Sequence, residues 1–245
     1  MEEQISRRQV AQLLALTFAG VGVWHILRET SPIGRDLSSN ETAQSILQDR
    51  TSPSREVEHP TLTLVLFTDY RCPACKLSNA PMDSAIEQDG HVRLVYRDWP
   101  IFGAVSEWAA RIALASDRQG IYPLVHAHLM NERRGLDAHV VRDAVEYSGG
   151  SWSQIEADLQ AYAKDINHQL ARNRQDAFQL GITGTPTYLT GPILTAGAQD
   201  EAAFRRTFAK SRELLASSPA KAGAKGLNPA KPIAETKKMI ARRYV

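Results

Sequence analysis

Two cysteines, Cys72 and Cys75, are the side chains best suited to chemistry in this chain, and they are its only cysteines. They lie between an apolar run that predicts a buried strand and a stretch that predicts a helix. At a helix start, unpaired backbone N–H groups and the positive end of the helix dipole stabilise a thiolate. Such a setting can lower a thiol pKa from about 8.5 to roughly 3.5–7. The pattern predicts a redox-active pair with Cys72 as nucleophile and Cys75 as resolving thiol.

The residues beside the pair are expected to tune it. Pro73 removes a backbone donor at a helix position that tolerates the loss, and Pro73 and Ala74 together help to set how far the reduced form is favoured. Arg71 adds positive charge if its side chain turns toward Cys72. A plain stabilising disulfide is an alternative, but so small a ring constrains the unfolded chain by only about 2 kcal/mol. A metal site is another, but no nearby His or Cys completes one, so neither a metal nor a cofactor is predicted.

The elements around the pair follow from hydrophobic periodicity. The segment 61–67 reads as a strand buried on both faces, a helix follows to about Gln88, and 92–97 reads as a second strand. A strand, a helix and a strand in that order predict a right-handed parallel crossover. From Ser106, expected with Glu107 to cap a helix, the pattern is helical for about 75 residues. Its last part, from Ser151 to Leu180, is expected to be one long helix.

Three stretches of the chain resemble DsbA-like thioredoxin-fold proteins of bacterial envelopes. They are 67–76 (FTDYRCPACK), 98–103 (DWPIFG) and 180–188 (LGITGTPTY). The resemblance covers roughly residues 61–215 and implies an α/β thioredoxin fold with an inserted helical subdomain. It also implies that Pro186 is a cis-proline beside the Cys72 sulfur and that the Thr185 backbone pairs with a substrate strand. The alternative for Pro186 is an ordinary proline at the entry to a strand.

One position departs from the family pattern. Many relatives carry a buried Glu or Asp six residues before the first cysteine, where it assists proton transfer at the resolving thiol. Here that position is Leu66. Asp69 lies nearby in the turn and is expected to cap the helix instead. The route by which protons reach Cys75 is therefore open at the level of the sequence.

The N-terminus has the pattern of an export signal. Adjacent arginines in the segment 6–10 (SRRQV) resemble a twin-arginine signal, and the 18 residues from Val10 to Leu27 contain no Asp, Glu, Lys or Arg. The segment is predicted to act as an export signal or an inner-membrane anchor, with a buried helix as the alternative. Its cleavage is left open. Either way, the sequence predicts a periplasmic or cell-envelope location.

Composition divides the chain further. The predicted units are an export signal or anchor (1–30), a linker (31–60), the first half of the thioredoxin fold (61–104), a helical insertion (105–180), the second half (181–215) and a basic flexible tail (216–245). The tail carries a net charge of +6 and the remainder −4, which argues against a nucleic-acid-binding body. The tail is expected to be solvated, with attraction to anionic lipid as the alternative. His126, His128, Trp99 and Trp108 are expected to be packing or surface residues.

The functional hypothesis is an exported thiol–disulfide oxidoreductase that exchanges disulfides with protein substrates. The resemblance favours an oxidase over a reductase or isomerase, and a redox partner would recycle the cysteine pair. A different class, a chaperone-like module that binds peptides and uses its cysteines only secondarily, stays open. So does a carrier that binds copper or zinc through the two thiolates.

Overall fold

The structure is a computed structural model that describes residues 33–217 and the isolated residues 8, 16, 17 and 20. The predicted export segment (1–30) and basic tail (216–245) lie almost entirely outside these residues, and both stay predictions. Within the part of the chain that is described, no helix is both long enough and apolar enough to cross a membrane.

One mixed sheet carries the fold. Its strands are β1 (Arg35–Asp36), β2 (Ser54–Arg55), β3 (Leu62–Thr68), β4 (Val92–Asp98), β5 (Thr187–Thr190) and β6 (Ile193–Ala196). Their order across the sheet is β1-β6-β5-β3-β4-β2. Strands β3 and β4 pair in parallel, and every other neighbouring pair is antiparallel. Both central strands are covered on both faces. β3 is accordingly a nearly continuous apolar run, whereas β4 also buries Arg93, Arg97 and Asp98.

Helices cover both faces of this sheet. Their ranges are α1 (Glu41–Leu47), α2 (Pro73–Asp89), α3 (Ala104–Ser116), α4 (Tyr122–Asn131), α5 (Ala138–Tyr147), α6 (Trp152–Ala161), α7 (Ala163–Gln179) and α8 (Glu201–Ser217). Helix α2 connects the parallel strands β3 and β4. Helices α3 to α7 lie between β4 and β5 and form the expected helical insertion.

The two faces of the sheet build separate apolar clusters. Leu64 and Leu66 of β3 face a large cluster that includes both cysteines and residues of α2, α3, α4 and α8. Val65 and Phe67 face a smaller cluster with residues of α1 and the end of α7. Alternation along the strand thus assigns each β3 side chain to one face, and the cysteine pair belongs to the larger cluster.

Two details of the insertion differ from the sequence prediction. Ser106 does not cap a helix, because α3 begins two residues earlier and Gly103 is its N-cap at a φ of 91°. The long helix expected from Ser151 is divided into α6 and α7 at Tyr162, whose backbone (φ −111°, ψ 22°) leaves the helical region. The predicted helix start at Ser151 is confirmed, since the Ser151 side chain caps α6 by accepting a hydrogen bond from the Gln154 N–H.

The segment predicted as a linker is part of the folded body over residues 33–60. Its β1 pairs with β6, its β2 pairs with β4, and α1 between them buries Ala43 and Ile46 against the smaller cluster. The side chain of Asn40 caps α1 by accepting a hydrogen bond from the Ala43 N–H. The sequence predicts a linker because this segment is polar and rich in Ser and Arg. Edge strands as short as these need few apolar residues, so they leave that composition unchanged. The correction is that this segment supplies both edges of the sheet.

Candidate active site

Strand β3 and helix α2 place the cysteine pair at the carboxyl end of the central strands. Cys72 is the N-cap of α2, and its sulfur accepts a hydrogen bond from the Cys75 N–H at 3.3 Å. Pro73 stands in the first turn, where a missing N–H costs the helix nothing. Both cysteines are buried free thiols. The unpaired N–H groups and the positive dipole end of α2 therefore face the Cys72 sulfur.

The two thiols have pKa values shifted in opposite directions. The pKa of Cys72 falls to about 6, first because the Cys75 thiol donates a hydrogen bond to its sulfur, and further because the N–H groups of Cys75 and Ala74 do so. Burial opposes this shift. The pKa of Cys75 is raised far above its ordinary value because the Cys72 sulfur holds its proton and because the group is buried. At neutral pH the pair therefore carries a thiolate at Cys72 and a thiol at Cys75.

Thr185 and Pro186 lie across the site from α2. The Thr185–Pro186 peptide bond is cis, and Pro186 directly precedes β5, which pairs antiparallel with β3. In its thiol form, Cys72 donates a hydrogen bond to the Thr185 carbonyl oxygen at 3.2 Å. The structure thus brings together residues that are 113 positions apart in the sequence. The pairing of Thr185 with a substrate strand stays a prediction.

Arg71 turns toward a neighbouring loop. Its guanidinium donates to the Phe102 carbonyl oxygen at 2.8 Å, so the side chain ties the cysteine turn to the segment after β4. Hydrogen bonds from Cys75, Thr185 and Ala74 lower the Cys72 pKa. An effect of Arg71 on the Cys72 thiolate stays a prediction.

Asp69 does not cap α2, contrary to the sequence prediction, because the Cys72 sulfur occupies that position. Its buried carboxylate instead organises the loop beside the cysteines. The two oxygens accept hydrogen bonds from the N–H groups of Arg71 (2.7 Å), Ile101 (2.7 Å) and Phe102 (3.0 Å) and from the Ser106 hydroxyl (2.6 Å). The sequence identifies residues 98–103 only as part of a family motif. The structure shows that Asp69 fixes this motif against the cysteine turn.

Apolar side chains are exposed around this loop. Ile101, Phe102 and Val105 follow β4, and each is at least 38% exposed. Leu77, on the helix that carries the cysteines, is 72% exposed. Since the Asp69 hydrogen bonds hold Ile101 and Phe102 next to the cysteine turn, an extended apolar segment of another protein could contact the site here.

Leu66 lies in the core on the cysteine side of the sheet, where no carboxyl group is present at this position. A network of buried polar side chains, which the sequence does not indicate, lies on the same side of the sheet. Tyr122 donates a hydrogen bond to Asp98 at 2.8 Å. The Tyr70 hydroxyl lies 3.3 Å from the Tyr122 hydroxyl and 3.2 Å from Nδ1 of His126. His126 is thus buried, as expected, but it belongs to a polar network.

At neutral pH the His126 ring of this network is uncharged and Asp98 is close to the midpoint of its titration. Burial raises the pKa of Asp98 to about 7, and hydrogen bonds from Tyr122 and Tyr70 only partly oppose that rise. Burial lowers the pKa of His126 to about 3. Among the described residues no group of His, Cys, Asp and Glu has the arrangement of a metal site.

The fold and the site resemble proteins of one family. Residues 63–209 match the model of the DSBA-like thioredoxin domain. A thioredoxin-like oxidoreductase from Silicibacter pomeroyi superposes with a TM-score of 0.66 at 29% identity, covering 71% of this chain and 98% of that one. A periplasmic thioredoxin-like protein from Salmonella enterica serovar Typhimurium gives 0.63 at 26% identity, with 71% and 98% covered. The expected thioredoxin fold with a helical insertion is confirmed.

Curated relatives fall into two groups. The probable disulfide bond formation protein D of Bacillus cereus is 21% identical, and the match covers 75% of this chain and 87% of that protein. The Na(+)/H(+) antiporter NhaA 1 of Mycolicibacterium vanbaalenii is 25% identical over 83% of this chain but only 34% of the antiporter. The chain therefore spans about a third of the length of that relative.

Proposed function

The chain belongs to the DSBA-like thioredoxin family of thiol–disulfide oxidoreductases, and from this premise we propose that it forms disulfide bonds in proteins outside the cytoplasm. The proposed function covers the reacting residues, the direction of electron flow, the alignment of the substrate and the location.

Cys72 and Cys75 are the proposed reacting pair. In the oxidised protein, a substrate thiolate attacks the Cys72 sulfur, the Cys72–Cys75 bond breaks, and Cys75 leaves as a thiolate that takes up a proton. A second substrate thiolate then attacks the substrate sulfur of the mixed disulfide and releases Cys72 as a thiolate. The substrate loses two electrons and gains a disulfide, and the reduced pair passes the electrons to a redox partner.

The stabilised Cys72 thiolate is the observation that supports exchange in the oxidase direction. A low nucleophile pKa favours the reduced form of the pair and so makes the oxidised form a stronger oxidant. Pairs with a nucleophile pKa near 7 and near 3.5 have reduction potentials of about −270 mV and about −120 mV. The Cys72 pKa of about 6 lies between them. The relative from Bacillus cereus, described as a probable disulfide bond formation protein, supports the same direction.

Thr185 and Pro186 are proposed to align the substrate. A backbone carbonyl that already contacts the Cys72 sulfur lies beside the point at which the mixed disulfide forms. An extended substrate strand could therefore pair with the Thr185 backbone while the exposed apolar side chains after β4 contact its other residues.

An envelope location is proposed from two observations. The N-terminal sequence resembles an export signal, and the similar Salmonella protein is described as periplasmic. Disulfides form and persist in such oxidising compartments. Fractionation of cells that express the tagged full chain tests this part, and a purely cytoplasmic distribution would contradict it.

The reduction potential of the pair tests the direction. We expect equilibration with glutathione to place it between about −120 and −230 mV, less reducing than thioredoxin at about −270 mV. The protein should also restore the activity of a reduced, unfolded test protein with multiple disulfides. A potential near −270 mV would contradict the oxidase proposal and support a reductase.

Two variants test the reacting pair. Cys72→Ser should abolish exchange, whereas Cys75→Ser should trap the mixed disulfide with the test protein, which is visible on a non-reducing gel. If Cys72→Ser retained its function in cells, the alternative of a peptide-binding module would be favoured.

A further inference from the structure

A cleft opens between the loop that follows β4 and helix α7, and we call it the α7 cleft. Its apolar wall consists of Trp99, Pro100 and Ile101 from the loop and Leu170 and Ala171 from the helix. The volume of the cleft is about 210 Å³. An apolar cavity of about 150 Å³ in another protein binds benzene. The α7 cleft therefore has room for one large apolar side chain.

Ile101 connects the α7 cleft to the cysteine turn. It lines the cleft, and its N–H donates to the Asp69 carboxylate at 2.7 Å. The backbone of Phe102 binds both the Asp69 carboxylate and the Arg71 guanidinium. Asp69 and Arg71 lie in the turn just before Cys72, so hydrogen bonds fix the cleft relative to the nucleophile. An extended segment that reacts with Cys72 can reach the cleft within a few residues, at about 3.3 Å per residue.

One exposed face of α7 continues the cleft. Residues 167, 171, 174 and 178 follow one another at spacings of three or four, which places them on one side of the helix. Ala171 and Arg174 line the cleft, and Phe178 is 84% exposed further along the same face. The helix ends at Gln179, and the chain then runs to Pro186. The exposed face therefore extends from the cleft toward the segment with the cis-proline.

The surface charge around the cleft is positive. Within residues 33–217, neither Arg71 nor Arg174 forms an ion pair with a carboxylate. Glu107 is the acidic residue of the described lining, and Arg111, one turn further along α3, shares its helix face and offsets its charge. The Asp69 carboxylate is buried and already accepts four hydrogen bonds. The two unpaired guanidinium groups favour an acidic partner segment.

We propose that the α7 cleft is a specificity subsite for one large apolar side chain of the substrate protein, with a carboxylate of the same segment bound by Arg174. The proposal rests on the thiol–disulfide exchange function of Cys72 and Cys75 and names the class of segment on which they act. That segment is extended and carries Phe or Leu close to Asp or Glu, a few residues from its reactive cysteine. The apolar side chain packs on Trp99 and Leu170 and displaces water from them.

Mixed disulfides at Cys72 measure binding in the cleft. In a Cys75→Ser background, Cys72 equilibrates between a mixed disulfide with glutathione and one with a test peptide, and intact-protein mass spectrometry gives their ratio. Each peptide carries one cysteine and one Phe in a Gly/Ser background, with the Phe moved through several positions on either side of the cysteine. The ratio is divided by that for exchange of the same peptide with mercaptoethanol, which removes differences between the thiols. The best-placed Phe should favour the peptide adduct about 10-fold over the Gly/Ser peptide.

An Asp two residues from the best-placed Phe tests the charge, since side chains two apart lie on the same side of an extended chain. At about 20 mM salt, Asp should favour the peptide adduct about threefold over Asn at the same position. Opposite unit charges about 7 Å apart in water attract by about that factor. At about 0.5 M salt the difference should fall toward one because the charges are screened.

Two variants of α7 assign these preferences to the cleft. Ala171→Phe fills the cleft and should remove most of the preference for Phe. Arg174→Gln should remove the preference for Asp. Both positions are exposed, so the variants are expected to fold.

Matched controls lie on α8. Ala209→Phe and Arg206→Gln make the same changes at exposed positions. Ala209 lies beside Asp89 at the end of α2, about 24 Å along the helix from Cys72 at 1.5 Å per residue. Both controls should keep the preferences of the Cys75→Ser parent.

The outcomes separate this proposal from the one on which it rests. If Cys72 forms no mixed disulfide with any peptide, the proposed function fails. If mixed disulfides form equally well wherever the Phe stands, only the subsite is overturned. A Phe preference that survives Ala171→Phe would also overturn it, because the side chain then binds elsewhere. Equal losses in Ala171→Phe and Ala209→Phe would do the same, because they indicate a general structural effect. Equal adducts with Asp and Asn would overturn the role of Arg174.

Discussion

The two faces of the sheet bury polar groups of β4 in opposite ways. On the face away from the cysteines, Arg97 is 1% exposed and forms ion pairs with Asp49 at 3.0 Å and Asp176 at 3.4 Å. On the cysteine face, Asp98 is equally buried but has tyrosine hydroxyls beside it instead of a cation. Adjacent residues of one strand therefore meet a paired, charged environment and an unpaired, nearly neutral one.

This difference shows how the environment decides what a buried carboxyl group can do. The pKa of Asp49 is lowered because hydrogen bonds from Ser52 and Thr51 and the charge of Arg97 together outweigh its burial. Asp49 stays charged throughout the physiological range and acts as a structural partner. Burial raises the pKa of Asp98 to about 7, so it titrates near neutral pH. The cation on the cysteine face, Arg55, pairs with Asp83 at 3.2 Å, and Asp98 is left with tyrosine hydroxyls as its partners.

The largest effect is expected from removing the buried positive charge on the face of the sheet away from the cysteines. Arg97→Leu removes the buried cation that pairs with the partly buried carboxylates of Asp49 and Asp176, of which Asp49 keeps Arg172 at 3.4 Å. It should lower the free energy of unfolding by about 3–5 kcal/mol, as measured by urea denaturation. The Cys72 pKa, read from thiolate absorbance, should stay at about 6 because Arg97 lies on the other side of the sheet. A shift of that pKa would show that the two faces are electrostatically coupled.

A smaller effect with opposite signs is expected from neutralising one carboxyl group on each face. The folded-state pKa of Asp98 is raised from 3.8 to about 7, so its favourable contribution is present below pH 4 and is lost as pH rises to 7. Asp98→Asn should therefore gain stability relative to the native protein over that range, by about 3 kcal/mol between pH 4 and 7. Unfolding free energies measured between pH 4 and 8 test this.

The matched variant on the other face should behave in the opposite way. The folded-state pKa of Asp49 is lowered, so its contribution is present above pH 4 and is lost as pH falls further. Asp49→Asn should destabilise the protein most at neutral pH, with the difference shrinking toward acid. Parallel pH curves for the two Asn variants would contradict the comparison between the faces.

A still smaller effect is expected at the loop beside the cysteines. Ser106→Ala removes one hydrogen bond to the buried Asp69 carboxylate and should cost about 1.5–3 kcal/mol of stability if that oxygen finds no replacement. Hydrogen exchange at the Ile101 and Phe102 amides should become faster, because both donate to Asp69. Unchanged protection there would mean that Ser106 does not support the loop.

The smallest effect concerns the redox pair itself. Because the Cys72 pKa is about 6 and the Cys75 pKa is raised, oxidation releases two protons below pH 6 and one above it. The reduction potential should therefore change by about 59 mV per pH unit below pH 6 and by about 30 mV above it. A single slope between pH 5 and 9 would contradict the separation of the two thiol pKa values.

Local signals and the family motif were enough to predict the centre of the fold. The apolar run before the cysteines, the proline in the first turn and the strand after Pro186 each indicate an element that the structure contains. The resemblance implied the cis bond before Pro186, which the structure contains, and the neighbouring Thr185 carbonyl oxygen lies 3.2 Å from the Cys72 sulfur. These features depend on residues close in sequence or on a motif that recurs in relatives.

Features that depend on pairing between distant residues could not be predicted in the same way. Asp98 lies within a motif, yet nothing in its sequence neighbourhood indicates that Tyr122 and Tyr70 will surround it. The predicted capping role of Asp69 was wrong for a related reason, because the loop that Asp69 binds lies more than 30 residues away. The segment 33–60 was misjudged because an edge strand of two residues leaves almost no periodic pattern.

That segment has a consequence for how the domain is delimited. Its two short strands form the two outer edges of the sheet, yet both precede the family-matched span of 63–209. A fragment that began at residue 61 would expose the backbone of β4 on one side and β6 on the other, and open edges of that kind recruit further strands. The folded sheet is thus longer than the family-matched span. In this protein, the chain ahead of the cysteines covers the backbone edges of β4 and β6.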